Sequence, residues 1–215
     1  MLSRFKSSNQ AFEYMFFLIM HYGIKTDKTK YLHNIGFYLD NPSDNEITCQ
    51  WRKRNKSYAD YEWEWYLSQN RSVSELKQRA KIWDTMHNGD DIVNSNYGWQ
   101  WNRSNQLDYV INELRRDKDS RRAVLSIYDG KENSQYELDT PCTLSITFSI
   151  INDKLCMTVN MRSNDLIYGF CNDQYCFSKL QKIVSDELVI EMGWYFHFVN
   201  NFHIYEKHYK LNERI

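Results

Sequence analysis

Turn-forming residues are scarce in this chain of 215 residues, which has only 2 prolines and 7 glycines. So few of them excludes a proline-rich linker and argues against a low-complexity, disordered chain. Aromatic residues instead make up 16% of the sequence, and a chain of this length can bury a substantial core. Since the sequence also has no internal repeat, it predicts one domain over residues 1–215.

Long apolar runs are absent too. The longest, from Met15 to Met20, is far shorter than the roughly 20 residues of a membrane-spanning helix. It follows an acidic residue, Glu13, and has no small-residue cleavage site, so it does not resemble a signal peptide. The 5 cysteines lack paired metal-ligand spacing, which favours reduced thiols and predicts no metal site. We therefore expect a cytoplasmic protein, in the host cytoplasm if the source is viral.

A strong charge of one sign is also missing, because 27 basic residues are balanced by 28 acidic ones. Domains that bind a duplex usually carry a basic excess, so bulk nucleic acid is not the expected partner. A small anion held by a few arginines needs no such excess. The basic run from Trp51 to Lys56 contains no acidic residue and predicts a solvated loop, with a platform for single-stranded nucleic acid as the alternative.

The amino-terminal half predicts mainly helices. Residues 3–22 have a helical pattern that ends at Gly23, where we expect a left-handed cap. Residues 58–68 form an aromatic helix, and a third helix around residues 107–114 begins near Ser104 or Asn105. Short strands are expected around residues 32–39 and 46–52.

The carboxyl-terminal half predicts strands. Apolar and polar residues alternate over residues 143–150 and again over residues 155–162, with an Asn152-Asp153 turn between them. This pattern indicates a hairpin with one apolar and one polar face, and the polar face can line a pocket. Asp173 opens a further helix, and residues 194–205 form another strand. The prediction is an α+β fold with helices against a large, mostly non-parallel sheet.

Cys142 is a candidate nucleophile because it follows Pro141, which suits a strand edge where a thiol points into a cleft. A buried core cysteine is the alternative. Nearby arginines would lower the pKa of the thiol and favour the reactive thiolate. The pairs Arg121-Arg122 and Arg162-Ser163 are candidate phosphate ligands, since guanidinium groups match phosphate oxygens. Solvated charges at strand ends are the alternative for both pairs.

Two carboxylates and one aromatic pair complete the candidates. Asp173 is ordinarily explained as a helix cap. Glu62 lies among aromatic residues, either on the wet face of its helix or desolvated and chemically active. His203 and Tyr205 point to one face of a strand, where they could bond a sugar or form a structural aromatic pair. The residues alone predict an enzyme for a small anionic molecule.

These motifs resemble, in order and spacing, the thymidylate synthase superfamily, and more narrowly the phage deoxycytidylate hydroxymethylases. The resemblance covers residues 10–209 and implies a large mixed sheet packed with helices, one sheet face forming a homodimer interface. The matching segments are Asp27-Lys28-Thr29, Asn94–Trp99, Asp119-Ser120-Arg121-Arg122, Pro141-Cys142, Asn160–Asp165 with Gly169, and His203-Ile204-Tyr205.

The resemblance implies a reaction. Cys142 would attack C6 of the pyrimidine of a nucleoside monophosphate, so that C5 takes a one-carbon unit from methylenetetrahydrofolate. Tyr97 would assist loss of the C5 proton, and Glu62 would organise a water and proton relay. Addition of water would give a hydroxymethyl product, whereas hydride from the folate would give a methyl product. No metal is implied.

The resemblance also implies how the ligands are held. Asp165, Gly169 and Trp83 would contact the folate, and His203 and Tyr205 would bond the sugar hydroxyl. The phosphate would be held by two subunits of a homodimer, with Lys28, Arg162 and Ser163 from one and Arg121 and Arg122 from the other.

The base would be read by Asp173, four residues after Gly169, where thymidylate synthases carry an asparagine. A carboxylate accepts from N4 of cytosine and shares a proton with N3, whereas an amide matches uracil. The resemblance therefore implies dCMP hydroxymethylation, as in phage DNA modification. A register shift to Asn172 would favour uracil. The alternatives are methylation or hydroxymethylation of dUMP, a CMP hydroxymethylase, and a catalytically silent nucleotide- or RNA-binding relative.

The sequence stops at Ile215, seven residues after His208, whereas the resembled family continues with a segment that helps to close the folate site. Closure excludes water and completes such a site. We therefore expect a weaker hold on folate, which an enzyme that uses water tolerates better than one that transfers hydride.

Overall fold

The computed structural model describes residues 2–87 and 89–213. The first three strands precede the helix-rich middle of the chain, and the other four lie in its carboxyl-terminal half. The strands are β1 (Ser3–Phe5), β2 (Ile24–Lys25), β3 (Thr29–Leu39), β4 (Val124–Ser126), β5 (Thr143–Ile151), β6 (Lys154–Asp165) and β7 (Glu191–Tyr205). The α-helices are α1 (Ser8–Tyr22), α2 (Lys56–Ser68), α3 (Tyr97–Asn102), α4 (Gln106–Arg116) and α5 (Cys171–Leu188). A π-helical turn spans Leu166–Phe170, and short 3₁₀ turns span Leu76–Gln78, Lys81–Thr85, Arg103–Asn105, Asn133–Gln135, Glu206–His208 and Leu211–Glu213.

The strands of the described residues form one mixed sheet in the order β1-β3-β7-β6-β5-β4, and β2 pairs with β3 beside this path. The predicted hairpin is confirmed as β5 and β6. Asn152 and Asp153, at its turn, have φ values of 53° and 59°, the left-handed pair that a two-residue hairpin turn requires. The parallel strands β6 and β7 are joined through α5, because parallel neighbours need a crossover connection.

The core lies between the helices and one face of this sheet. Met157, Val159 and Met161 of β6 are buried at alternate positions, as the period of a strand requires. Apolar residues at helical spacing cover them, and α1 buries Phe12, Met15, Phe16 and Ile19. This packing places the ends of the central strands next to the first turn of α5 and the residues before it.

Aromatic side chains occupy the opposite face of β3 and β7. Tyr38, Trp194, Phe196 and Phe198 alternate with buried positions and are only half-buried. The Tyr38 ring lies 4.6 Å from the Phe196 ring and 5.1 Å from the Trp194 ring, centroid to centroid. We call these four residues the aromatic sheet face.

The amino terminus differs from the prediction in two respects. The predicted helix over residues 3–22 is split, since Ser3–Phe5 pairs with β3 and the helix begins at Ser8. Gly23 is not left-handed, with φ −66° and ψ 142°. Glycine is required there for another reason, because a Cβ would lie 2.3 Å from the carbonyl oxygen of Ile19.

The polar segment between β3 and α2 also corrects two predictions. The strand expected around residues 46–52 is wrong, since they form irregular backbone and a turn. The solvated loop predicted for the basic run is wrong as well. The Arg54 side chain is 2% exposed and pairs with Glu46 at 3.0 Å, and Arg52 Nε donates to the Ile167 carbonyl at 2.7 Å. The acidic partner lies outside the run, so composition within the run could not reveal it.

The remaining predicted elements are confirmed with longer bounds. The aromatic helix is α2, the strand over residues 194–205 is the end of β7, and the strand over residues 32–39 is the end of β3. The helix α4 follows Asn105, whose side chain makes no capping hydrogen bond.

None of the helices in residues 2–87 and 89–213 combines the length and the apolar character that a membrane crossing requires. The cysteines, at positions 49, 142, 156, 171 and 176, all carry free thiols.

Candidate active site

Four strand ends meet at one edge of the sheet. In the pairing register, Thr143 lies opposite Met161, Asp165 opposite His203, and Tyr205 opposite Thr29. Because β5 and β3 start at this edge while β6 and β7 end there, residues distant in sequence become neighbours. The predicted residues that reach this edge are Lys28, Cys142, Arg162, Ser163, Asp165, His203 and Tyr205.

Arg162 is the cation beside Cys142. Its Nη2 lies 3.7 Å from Sγ of Cys142 and donates to the carbonyl of Thr140 at 2.8 Å, while Nε donates to the carbonyl of Pro141 at 3.0 Å. Burial raises the pKa of the Cys142 thiol to about 11, and Arg162 only partly offsets this. Arg162 lowers the pKa of the thiol, as predicted, but desolvation outweighs its positive charge in the unliganded site.

Asp139 ties the nucleophile loop to the loop that precedes α3. Its Oδ2 accepts from the backbone N–H groups of Asn94 at 2.7 Å and Ser95 at 2.6 Å, and Oδ1 accepts from the Ser95 hydroxyl. These loops carry Cys142 and Tyr97 respectively, so Asp139 fixes one relative to the other. Sequence reasoning missed Asp139, because an acidic residue in a polar loop gives no periodic signal.

Tyr97 is the first residue of α3 and is buried. Its hydroxyl accepts from the backbone N–H of Thr143, next to the nucleophile, at 3.3 Å. The following residue must be glycine, since a Cβ at Gly98 would lie 1.6 Å from the carbonyl oxygen of Tyr66. This close approach packs α3 onto α2 and brings Tyr97 towards Cys142.

Glu62 is desolvated, which decides between its two predicted settings. Glu62 is only 7% exposed, and burial raises the pKa of its carboxyl to about 7. Tyr58 donates to Oε1 at 3.0 Å and in turn accepts from the indole N–H of Trp83 at 3.0 Å. Trp83, which was expected to contact the folate, is thus connected to Glu62 by way of the Tyr58 hydroxyl. A carboxyl with a pKa near neutrality can both take up and release protons.

Asp173 lies in the first turn of α5 and is held by Asn164. Asn164 Nδ2 donates to Asp173 Oδ2 at 2.7 Å. The cap position of α5 is Phe170 and no side chain caps the helix, so the ordinary explanation of Asp173 as a helix cap is wrong. Burial raises the pKa of Asp173 to about 8, and the nearby charge of Glu62 adds to the rise. A Cβ on Gly169 would lie 2.6 Å from Asn164 Nδ2 and 3.3 Å from Asp173 Oδ2. Glycine at position 169 therefore leaves room for this pair.

Asp165, His203 and Tyr205 form the rim of the site. Asp165 Oδ1 accepts from the backbone N–H of Ile167 at 2.8 Å and so begins the π-helical turn. Burial raises the pKa of Asp165 and lowers that of His203. The rings of His203 and Tyr205 meet edge to face at 5.1 Å, and within the described residues His203 Nδ1 has no hydrogen-bond partner. A polar ligand atom could supply that partner.

Arg121 and Arg122 are not brought to this site in the same chain. Arg122 Nε donates to Glu113 Oε1 at 2.9 Å, and Arg121 is exposed. The next residue along the chain, Ala123, accepts from the backbone N–H of Phe148, six residues along β5 from Cys142. At 3.4 Å per residue, that separation is about 20 Å.

Among the described residues, no group of three or more His, Cys, Asp or Glu side chains is arranged to hold a metal ion.

Residues 41–215 match the family model described as thymidylate synthase. The chain is 33% identical over 188 residues to a thymidylate synthase of Fusobacterium nucleatum, covering 83% of this chain and 68% of that one. It is 34% identical over 175 residues to a deoxycytidylate 5-hydroxymethyltransferase of Enterobacteria phage T4, covering 73% and 70%. It is also 30% identical over 194 residues to a deoxyuridylate hydroxymethyltransferase of Delftia phage PhiW-14, covering 82% and 53%.

Proposed function

The chain belongs to the thymidylate synthase family, and from this premise we propose that it hydroxymethylates dCMP at C5. Family membership supports a one-carbon transferase with methylenetetrahydrofolate as co-substrate. The α+β fold, with its mixed sheet and helices, is the fold of that family. The choice of base and of product are the finer parts of the proposal, because relatives named for both dCMP and dUMP are similar to this chain.

The observation that carries the choice of dCMP is the half-buried Asp173, held by Asn164 in the first turn of α5, whose pKa desolvation raises to about 8. With a pKa of about 8, its carboxyl keeps a proton at neutral pH. A carboxylic acid then offers one hydroxyl donor and one carbonyl acceptor. Cytosine presents an N3 acceptor beside an N4 amino donor, which is the complementary pair. A mismatch would leave buried groups unpaired at a cost of about 1–3 kcal/mol each.

Cys142 acts as the nucleophile in this proposal. Its Sγ forms the bond to C6 while the C5–C6 double bond opens and its electron pair moves to C5, and the thiol proton passes to water in the site. Arg162, 3.7 Å from Sγ, stabilises the developing negative charge on sulfur. Tyr97 and Glu62 serve the proton transfers at C5. Tyr97 is bonded to the backbone next to Cys142, and Glu62 is near enough to Asp173 for its charge to raise the Asp173 pKa.

The rim residues suit the folate and the nucleotide. The folate supplies the one-carbon unit when bound, and Asp165 would hold its heterocycle, because a half-buried carboxyl with a raised pKa suits a hydrogen bond to ring N–H groups. We also assign Trp83 and Gly169 to the folate site. The need for glycine at position 169 has a separate explanation as well, because a side chain there would collide with the Asn164–Asp173 pair. His203 and Tyr205 would bond the sugar.

The phosphate would be held by residues from two copies of the chain. Lys28, Arg162 and Ser163 lie at the site edge, whereas Arg121 and Arg122 lie about 20 Å away along β5. That separation supports a homodimer in which the two arginines reach the partner's nucleotide. The aromatic sheet face is the surface that we propose for the interface. Residues 1–215 then act as one catalytic domain.

Release of tritium from dCMP and dUMP labelled at C5 tests the proposal. We expect release from dCMP that depends on methylenetetrahydrofolate and on Cys142, with a hydroxymethyl product by mass analysis. Cys142→Ser is the control, since it should abolish release while leaving dCMP binding within about threefold. Release from dUMP with a methyl product would refute both the base and the product.

A dUMP hydroxymethylase is the second candidate, since a relative named deoxyuridylate hydroxymethyltransferase is 30% identical to this chain and Asp173 does not by itself exclude uracil. A neutral carboxylic acid also pairs with uracil if its proton moves to the other oxygen, because uracil presents an O4 acceptor beside an N3–H donor. The position of one proton therefore separates the two candidates.

A further inference from the structure

Asp173 can pair with cytosine or with uracil, depending on which of its two oxygens carries the proton. A carboxylic acid is symmetric except for its proton, so selectivity requires the proton to be kept on one oxygen. Nothing in the carboxyl group itself provides this. The neighbours of Asp173 must provide it.

A row of buried side chains extends from Asp173 across β6 and β7. Asn164 Nδ2 lies 2.7 Å from Asp173 Oδ2, and Asn164 Oδ1 lies 3.2 Å from His197 Nε2. His197 Nδ1 lies 2.8 Å from the hydroxyl of Tyr195. Tyr195 and His197 are fully buried and Asn164 is 3% exposed. These three residues are removed from water, so their hydrogens must be placed among themselves.

The row has one favoured direction. His197 is neutral, because burial lowers its pKa to about 3, so only one ring nitrogen carries a hydrogen. If Tyr195 donates to Nδ1, then Nε2–H donates to Asn164 Oδ1 and the amide of Asn164 donates to Asp173. In the reverse direction the Tyr195 hydroxyl would accept from Nδ1–H. Its own hydrogen would then be buried without an acceptor among the described residues, which is costly.

We propose that Tyr195 and His197 are positioning residues that fix the amide of Asn164, and that Asn164 thereby keeps the proton of Asp173 on Oδ1. Oδ2 then accepts from both Asn164 and N4 of cytosine, while the Oδ1 hydroxyl donates to N3. This inference rests on the proposed function and specifies what discriminates dCMP from dUMP. Gly169 contributes to the same arrangement, since any side chain at position 169 would separate Asn164 from Asp173.

Tyr195→Phe tests the proposal with the smallest change, because it removes only the hydroxyl. Without that donor, His197 can place its hydrogen on Nδ1, the amide of Asn164 can turn over, and Asp173 can carry its proton on Oδ2. We expect the ratio of kcat/KM for dCMP to that for dUMP to fall about tenfold, in line with one lost hydrogen-bond preference. Damage to packing alone would lower both constants and leave the ratio unchanged.

Tyr136→Phe is the matched control. Tyr136 is also buried, and the groups that act on its hydroxyl are Asp129, Arg103 and Glu132, none of which belongs to this row. Its removal should leave the ratio unchanged. If Tyr195→Phe does not fold, His197→Gln replaces it, since the glutamine amide has no fixed orientation and should lower the ratio as well.

Nitrogen-15 NMR of the unliganded protein gives a readout independent of turnover, with the His197 signals assigned by their loss in His197→Gln. The proposal expects a neutral ring with hydrogen on Nε2, and a shift towards Nδ1–H in Tyr195→Phe. Hydrogen on Nδ1 in the wild-type protein would overturn it, as would an unchanged ratio in Tyr195→Phe. If neither nucleotide releases tritium but the Nε2–H form is found, the proposed function fails while the direction of the row stands.

Discussion

Replacing Asp173 by asparagine should stabilise the folded protein, by an amount that increases with pH. Burial raises the pKa of this carboxyl from its ordinary 3.8 to about 8. The folded protein therefore keeps a proton that the unfolded chain has already released. Asparagine has nearly the same shape, can still accept from Asn164 Nδ2, and has no proton to lose.

The magnitude follows from the two pKa values. Between the unfolded and folded values, the folded state binds one proton more, so stability falls by about 1.4 kcal/mol per pH unit. The fall begins near the unfolded pKa and stops near the folded pKa of about 8. Between pH 5.5 and pH 7.5, the wild-type protein should lose about 2.5 kcal/mol relative to Asp173→Asn. Glu62 has a pKa of about 7, but it titrates in both proteins and largely cancels in the difference.

Urea denaturation of both proteins at the two pH values measures this difference. Asp153→Asn, at the exposed hairpin turn, is the control and should behave as the wild type. A stability gap between wild type and Asp173→Asn that is the same at both pH values would refute the reasoning, because Asp173 would then titrate alike in the folded and unfolded states.

The remaining predictions concern binding, packing and proton transfer. Affinity for dCMP, measured by calorimetry, should weaken as pH rises through about 8, where Asp173 loses its proton, and Asp173→Asn should lack this dependence. Gly98→Ala should destabilise the protein by about 3 kcal/mol, because its Cβ would lie 1.6 Å from the Tyr66 carbonyl. Gly130→Ala has open space around its Cβ and should be neutral in the same urea titration. Glu62→Gln should remove from the tritium-release rate any pH dependence centred near 7; a dependence that persists would assign it to another group.

The strands were predictable where alternation was uninterrupted. The hairpin of β5 and β6 has both a period of two and a polar turn, so sequence alone located it. The strand prediction over residues 46–52 was wrong. The backbone of this segment bonds to a side chain and not to another strand, and the composition of such a segment resembles that of an edge strand. There, Asn9 accepts from the backbone N–H groups of Thr48 and Cys49 at 2.9 and 2.8 Å. Such long-range capping leaves no local pattern.

The candidate site was predictable only as a set of residue types. Motif spacing indicated Cys142 and Arg162, and the structure brings them together. The protonation of the site was not predictable, because pKa depends on burial, which sequence does not report. Cys142 therefore has a raised pKa despite its arginine. Asn164 lay in a matched segment without an assigned role, and His197 was missed, since neither forms part of a recognised acid–base pattern.

Because of the aromatic sheet face, we expect the stability and the activity of the protein to depend on its concentration. Tyr38, Trp194 and Phe196 are only half-buried on one chain, and covering them with a second copy removes apolar surface from water. In the proposed dimer, mass action then links stability to protein concentration. Melting temperature should rise with concentration, and turnover per chain should fall once dilution separates the copies. A specific activity quoted without a concentration would then describe a mixture of complete and incomplete sites.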